Sequence, residues 1–293
     1  MNKTAKLGLI SVASFVIANM IGAGVFTSLG YQLQSINNPY SILMLWVVGG
    51  VLALCGALVY GELGAAMPRS GGEYHYLGKI YHPVLGFLSG WVSLTVGFAA
   101  PVALSSMGAG RYLSMVFPEL SQTWTALTVL TIVTAIHCYT IQFGGKFQTL
   151  FTSINIGLIL IFIFAGCLYT PQVQNTAAFA SAIDWNEMIS PAFAVSLIYV
   201  SFAYSGWNAA AYIAGDIDNP RHTLPRSLFI STMVVMVLYV MLNLVFMLTA
   251  PIAEMKGQME IGFISATHLF GISGGRITVS YTHLDVYKRQ VCM

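Results

Sequence analysis

Two short segments, each inside a long apolar stretch, carry the residues best suited to bind a small molecule. Residues 19–26 read NMIGAGVF and residues 202–208 read FAYSGWN. Glycine costs a helix about 1 kcal/mol relative to alanine, so both segments predict a helix interruption. Unwinding of the first would free the backbone amides of Gly22, Ala23 and Gly24 at the start of a new half-helix. The positive end of that half-helix suits a carboxylate or another anion.

The second segment places a small polar step, Ser205-Gly206, between aromatic residues that could close over a bound molecule. Taken singly, each segment also has a simpler explanation, because small residues let helices pack closely and aromatic rings fill a core around a tolerated glycine. The pair is more informative. Interrupted helices at corresponding places in two halves of a chain indicate the midplane site of a secondary transporter.

The composition shows what kind of element must hold these segments. The chain has 293 residues, 57% of them hydrophobic and 8% charged, with a mean hydropathy of +0.76 and a net charge of +2. A soluble domain carries about 25% charged residues. The composition therefore excludes a disordered protein, a nucleic-acid binder and an ordinary cytosolic enzyme, and it predicts an all-α polytopic protein surrounded by membrane lipid. The four cysteines have neither disulfide nor zinc spacing, so we expect no metal and no cofactor.

Seven uncharged stretches are long enough to cross a membrane, which takes roughly 20 apolar residues. Residues 7–61 contain no charge, and the polar segment 32–39 divides them into the first two spans. The glycine-containing segments fall in spans one and six, the spacing expected of a five-plus-five repeat. No cleavage site follows a short apolar core, so we expect no cleaved secretory signal. The other five spans are predicted at residues 83–110, 123–139, 147–170, 191–215 and 227–250.

Lysine and arginine are distributed unequally between the two sides that these spans define. Seven lie on the side of the N-terminus and three on the opposite side. Because basic residues concentrate in cytoplasmic loops, we expect the N-terminus in the cytoplasm. The seven are Lys3, Lys6, Arg69, Lys79, Lys146, Arg221 and Arg226, and the three are Arg111, Lys256 and Arg276.

Residues 279–293 differ in character from the rest of the chain. Within them, residues 285–290 read DVYKRQ, which is similar to a translation of the transposon end used to build sequencing libraries. We therefore expect a transmembrane domain over residues 1–278, a non-native tail over residues 279–293, and a natural protein that continues further.

Two loops carry further motifs, and together with the glycine-containing segments they resemble a known family. Residues 60–74 read YGELGAAMPRSGGEY, and residues 214–226 read AGDIDNPRHTLPR. The four motifs, in this order, resemble the amino acid–polyamine–organocation (APC) superfamily, most of all its bacterial amino-acid permeases and L-type exchangers. The resemblance runs from about residue 6 to residue 248.

This resemblance implies about twelve helices, ten of them in the two inverted five-helix repeats of the LeuT and APC folds. The chain would hold a permease domain truncated after about seven helices, with the approach to span eight. The implied function is secondary transport of amino acids across the cytoplasmic membrane by alternating access, as an exchanger or a proton-coupled symporter. Ala23 and Ser205 offer no side-chain charge, so we expect a neutral amino acid as substrate, with a proton or a counter-transported amino acid as partner. A polyamine permease is the alternative.

The resemblance also implies roles for individual residues. The amides of residues 22–24 would bind the α-carboxylate of the substrate, and Phe202 matches the aromatic gate of the family. Trp207 and Asn208 match the family pattern as supporting residues next to the site. The main-chain carbonyls that would accept the α-ammonium group lie near Ile21, Phe202, Ala203 and Ser205.

One position departs from the family pattern. Many relatives carry a lysine in span five, whereas residues 151–155 read FTSIN and place Asn155 where that lysine would stand. An asparagine amide does not take up a proton near neutral pH, so we expect no lysine-dependent proton coupling. Exchange, facilitated flux or another coupling group stays open. Asn155 would otherwise make an interhelical hydrogen bond worth about 1 kcal/mol.

Charged residues collect in the loops on the predicted cytoplasmic side. They predict either a network of ion pairs that holds an inward gate or a solvated loop that sets the orientation of the chain. They are Glu62, Arg69, Glu73, Asp216, Asp218, Arg221 and Arg226.

Two other classes of protein are weaker alternatives. An intramembrane serine hydrolase would use Ser205, but no histidine lies mid-span to serve as its base. A channel would need a filter-like loop or a ring-forming charged face, which the spans lack. We therefore expect a transporter and not an enzyme.

Overall fold

The computed structural model describes residues 6–22, 24–103, 106–107, 110, 113, 119–139, 141–168 and 176–282. Over these residues every regular element is helical, and the β contact present is an isolated parallel bridge between Leu7 and Ile217. The all-helical prediction is confirmed for this part of the chain. Ala23, one of the predicted site residues, lies outside the described residues.

The first predicted span is a broken helix. Helix α1 (Leu9–Met20) ends where Ile21 adopts an extended conformation, with φ −71° and ψ 108°. Helix α2 (Gly24–Gln32) begins after the break, and the two helices are bent by 41° relative to each other. The interruption predicted for residues 19–26 is confirmed.

The second span is α3 (Pro39–Ala66), a helix of 28 residues. The side chain of Asn38 caps its start by accepting hydrogen bonds from two backbone amides, at 2.9 and 3.4 Å. Proline suits the first helical position because it has no amide to leave unpaired. The chain then turns through the short helix α4 (Gly72–Ile80) into α5 (Pro83–Val92).

The third span continues α5 as one helix over Pro83–Ala103. Its middle, Ser93–Ala99, is wound as a π-helix, an irregularity that is frequent at functional sites. The helices that follow are α6 (Gln122–Tyr139), α7 (Ile141–Leu168), α8 (Thr176–Phe179) and α9 (Trp185–Met188).

The sixth predicted span is also interrupted. Helix α10 (Pro191–Ala203) stops before Gly206, whose φ is 104°, and the short helix α11 (Ala209–Tyr212) follows. This confirms the interruption predicted for residues 202–208. The chain continues into α12 (Pro220–Thr249), α13 (Ile252–Met255) and α14 (Ile261–Thr282), the last with a kink at Gly271.

Among the described residues, three helices are long and apolar enough to cross a membrane: α3, Pro83–Ala103 and α12. The bent pair α1–α2 makes a fourth span if it is counted as one. The predicted spans four and five coincide with α6 and α7, and the first part of span six coincides with α10. The chain is a multi-pass helical membrane protein.

Helix α12 lies at the centre of the core, packed against α1, α3 and α7. Tyr239 on α12 is fully buried and contacts the rings of Trp46 and Tyr204, at centroid distances of 5.6 and 5.1 Å. Glycines let α3 approach its neighbours, since a Cβ atom on Gly49 would lie 2.4 Å from the side chain of Val200. Small residues serve the same purpose at membrane helix interfaces generally.

Candidate functional site

The two helix breaks lie against each other. A Cβ atom on Gly24, at the start of α2, would lie 3.1 Å from the Cα atom of Ala203 at the end of α10. A Cβ atom on Gly206 would lie 2.4 Å from the carbonyl oxygen of Asn19, in the last turn of α1. The close approach at Gly24 favours glycine, whereas at Gly206 the closer backbone contact and the positive φ together require it.

A tyrosine from a third helix joins the ends of the two half-helices. The hydroxyl of Tyr239 donates a hydrogen bond to the carbonyl oxygen of Met20 at 2.7 Å and lies 3.3 Å from that of Ala203. These carbonyls close α1 and α10, where a helix leaves its last acceptors without intrahelical donors. Tyr239 is not among the predicted site residues. The sequence feature that could have indicated it is a tyrosine in the middle of an apolar span, because a buried tyrosine hydroxyl usually finds a partner.

The predicted substrate residues are distributed around this contact. Ile21, Gly22 and Ala203 are buried at the breaks, whereas Phe202 and Ser205 are exposed. The structure thus brings Gly24 and Ala203 into direct contact, and it places Phe202 and Ser205 in the lining of a neighbouring cavity.

That cavity has a volume of about 380 Å³, within the usual range for small-molecule sites. It lies between the interrupted sixth span, the end of α1, helix α4 and the π-helical part of the third span. We call it the central cavity. The lining residues used below are Asn19, Glu73, Ser93, Phe202, Ser205 and Asn208.

Polar contacts fix one wall of the central cavity. The side-chain amide of Asn208 donates to Oε1 of Glu73 at 2.6 Å, and the Tyr212 hydroxyl donates to Oγ of Ser93 at 3.0 Å. Oε2 of Glu73 is buried and makes no hydrogen bond within the described residues. Burial is the main cause that raises the pKa of Tyr76 to about 12, and the negative charge of Glu73 is the second. The sequence analysis placed Glu73 in a loop and did not connect it with the cavity.

The two other supporting positions have different surroundings. Trp207 packs edge-on against Tyr60, with a centroid distance of 4.9 Å, and lies directly over Gly56. Asn155 on α7 is 5% exposed, and its Oδ1 atom makes no hydrogen bond within the described residues. The hydroxyl of Thr152, three residues earlier and so on the same side of the helix, is also buried and unpaired there.

Among the described residues, the charged loop residues do not form the ion-pair network of the gate interpretation in this conformation. Across the described part of the chain, the ion pair found joins His268 to Glu254 at 2.8 Å, and none of the seven loop residues takes part in one. Six of the seven are exposed, and exposed pairs gain little because both charges keep their water. The structure favours the solvated loop.

Main-chain hydrogen bonds connect the segments on the side of the molecule that carries the charged loops. The amide of Leu7 donates to the carbonyl of Asp216, and the amide of Asp218 donates to the carbonyl of Leu7, both at 2.9 Å. The amide of Gly71 donates to the carbonyl of Tyr212 at 3.2 Å. These contacts join the start of α1, the loop before α4 and the segment after α11.

Comparison with known proteins places these features in a family. The amino acid permease family model matches residues 7–284. The Asc-type amino acid transporter 1 of Homo sapiens is 30% identical over 279 residues, which cover 91% of this chain and 52% of that protein. The cystine/glutamate transporter of Homo sapiens is 30% identical over 274 residues, covering 91% and 54% respectively. The large neutral amino acids transporter small subunit 2 of Rattus norvegicus is 27% identical over 286 residues, covering 94% and 53%. The chain spans about half the length of these relatives.

Proposed function

The chain belongs to the amino acid permease family, and from that membership we propose that it carries out secondary transport of amino acids by alternating access. The observation that carries the proposal is the contact between two interrupted helices, Gly24 against Ala203, beside the central cavity. Broken helices that meet near the midplane are the sites at which secondary transporters bind their substrates. The relatives named above are all amino acid transporters.

We infer that the amino acid binds across the two breaks. The amides of Gly22, Ala23 and Gly24 would hold its carboxylate, because α2 begins at Gly24 and the start of a helix is its positive end. The carbonyls near Ile21, Phe202, Ala203 and Ser205 would accept its ammonium group, and the ring of Phe202 would close over it. Trp207 and Asn208 would support this arrangement from behind.

A neutral substrate fits the charges around the central cavity. Glu73 is the charged residue of its lining. One carboxylate oxygen of Glu73 already accepts from Asn208 and the other is buried, so neither is presented to a cationic side chain. A polyamine permease is the second candidate, and it would need Glu73 to exchange its contact with Asn208 for one with the cationic substrate.

We infer that the transporter is an exchanger, with a second amino acid as the counter-transported partner. Asn155 stands where many relatives have lysine, and its amide does not bind a proton near neutral pH. Within the described residues its buried Oδ1 atom and the neighbouring Thr152 hydroxyl make no hydrogen bond, and they leave a polar position in α7 without a titratable group. A proton-coupled symporter would need another residue for this role.

We further propose the arrangement in the membrane. Residues 1–278 would form the permease domain, the first seven helices of a five-plus-five inverted repeat, and residues 279–293 would be a non-native tail. The N-terminus would lie in the cytoplasm, and the membrane would be the cytoplasmic membrane. Attachment of a membrane-impermeant thiol reagent to a cysteine introduced at Arg221 tests the orientation, since labelling of intact cells would contradict it.

The test of function is uptake of a radiolabelled mixture of neutral amino acids into proteoliposomes, with the protein expressed at the full length of its relatives. The vesicles are either empty or preloaded with unlabelled amino acids. Uptake in preloaded vesicles alone would support exchange, and uptake into empty vesicles under a pH gradient would show proton coupling. Uptake of putrescine without uptake of amino acids would favour the polyamine permease and refute the first proposal.

A further inference from the structure

A second cavity lies where the loop after α3 meets α4 and the start of α5. Its volume is about 660 Å³, and none of its lining residues belongs to the central cavity. Three of the lining side chains are basic, and none is acidic. We call it the basic cavity, and its members used below are Arg69, Tyr74, His75, Lys79 and Pro83.

The positive charges of the basic cavity have no acidic partner among the described residues. Arg69 and Lys79 are exposed, and neither forms an ion pair within the described residues. All three basic side chains line the one cavity. Partial desolvation, and then the charges of Arg69 and Lys79, lower the pKa of the His75 imidazole, so the positive potential of the cavity comes from Arg69 and Lys79.

The basic cavity lies at the ends of two candidate membrane spans. It sits at the end of α3 and at the beginning of the helix Pro83–Ala103, and both helices are long and apolar enough to cross a membrane. Tyr74, which lines the cavity, and Tyr81, which precedes Pro83 by two residues, are 55% and 71% exposed. Exposed aromatic rings at the ends of spans mark the interface between hydrocarbon and water.

We propose that the basic cavity binds the phosphate-bearing headgroup of an anionic membrane lipid. Arg69 would bind the phosphate with two parallel N–H groups, and Lys79 would add a second charge. The acyl chains would run along the exposed apolar side of α5, where Phe87 and Trp91 are 61% and 59% exposed. Basic pockets beside membrane helices bind such headgroups in other proteins. If Arg69 and Lys79 served only to orient the chain in the membrane, their charges would be needed but a cavity between them would not.

The test measures binding of short-chain phosphatidylglycerol and phosphatidylcholine to the purified chain in a zwitterionic detergent, by native mass spectrometry. The test variant is Arg69→Gln with Lys79→Gln. The matched control is Arg221→Gln with Arg226→Gln, which removes the same charge from exposed residues on the same predicted side, outside the cavity. We expect the test variant to bind phosphatidylglycerol about 30-fold more weakly, since each basic residue near an anionic headgroup is worth about 1 kcal/mol. We expect the control to change less than about threefold.

Three outcomes would overturn the proposal. Equal loss in both double variants would show general surface attraction, and equal binding of the two lipids would show that charge is not recognised. Complete displacement of the lipid by millimolar inorganic phosphate would assign the cavity to a free anion. If the test variant does not fold, a salt titration of the unmodified chain decides instead. Phosphatidylglycerol binding should weaken steeply with salt, and salt-independent binding would contradict the proposal.

Discussion

Replacement of Tyr239 by phenylalanine should loosen the junction of the two broken helices. The substitution removes the hydroxyl that contacts the carbonyl oxygens of Met20 and Ala203, at 2.7 and 3.3 Å. A buried acceptor left without a donor costs about 1–3 kcal/mol. Measured hydrogen bonds between membrane helices average about 0.6 kcal/mol and reach about 1.7 kcal/mol. We therefore expect Tyr239→Phe to lower the free energy of unfolding by about 1–2 kcal/mol.

Tyr204→Phe is the matched control. Tyr204 is buried to the same degree as Tyr239, and its hydroxyl donates to the carbonyl oxygen of Trp46 at 3.0 Å. That carbonyl lies inside α3, where it already accepts the hydrogen bond of the helix. Its loss of a second donor should cost about 0.5 kcal/mol, the lower end for a single hydrogen bond.

The assay is reversible unfolding of both variants in mixed micelles, with increasing fractions of a denaturing detergent and tryptophan fluorescence as the signal. The expected difference between the variants is about 1 kcal/mol, with Tyr239→Phe the less stable. If Tyr204→Phe destabilises the chain as much, loss of any buried hydroxyl explains the effect and the junction is not special.

Three further predictions concern the second break, the coupling position and the alkaline limit of stability. Gly206→Ala should destabilise the chain by about 2 kcal/mol or more, because φ is 104° there and a backbone oxygen occupies the Cβ position. The control Gly157→Ala meets no atom within 4 Å and should raise the thermal midpoint slightly. Asn155→Lys should give uptake into empty proteoliposomes that depends on a pH gradient, and unchanged dependence on preloading would argue against a coupling role. The pKa of Tyr76 is raised to about 12, while an unfolded tyrosine ionises near pH 10. The stability that Tyr76 contributes is therefore complete below about pH 10 and is lost as the pH rises to about 12. Over that pH range the unfolding midpoint of Tyr76→Phe should fall less steeply than that of the unmodified chain. The midpoint of Tyr81→Phe should follow the unmodified chain, because the Tyr81 ring is 71% exposed.

Features that depend on local sequence were predicted from the sequence. Both helix interruptions were found because glycine weakens a helix wherever it stands. The long spans were found because a membrane helix needs a continuous apolar stretch, and α3 and α12 supply one each. The Asn38 cap of α3 was not predicted, although asparagine followed by proline is a local signal of the same kind.

Features that depend on distant residues could not be found in this way. The contact of Tyr239 with Met20 joins positions 219 residues apart, and that of Asn208 with Glu73 joins positions 135 residues apart. No periodicity reports such a pair, because it depends on how the helices pack. The choice between an ion-pair gate and a solvated loop could not be made from the sequence for a related reason. Opposite charges in neighbouring loops show that pairs could form, but not that they outweigh hydration.

The bridge between Leu7 and Ile217 has a consequence for how this protein tolerates change. Its two hydrogen bonds use only main-chain atoms, from residues 7, 216 and 218. Natural variation of the side chains there leaves both bonds in place, so relatives can diverge at these positions without losing the link between the start of α1 and the segment after α11. Proline is the exception, since it lacks the amide that donates. A saturation scan of residues 7 and 218 should therefore accept most residues and reject proline at both. A comparison of side chains among relatives would not reveal this link, because it consists of main-chain hydrogen bonds.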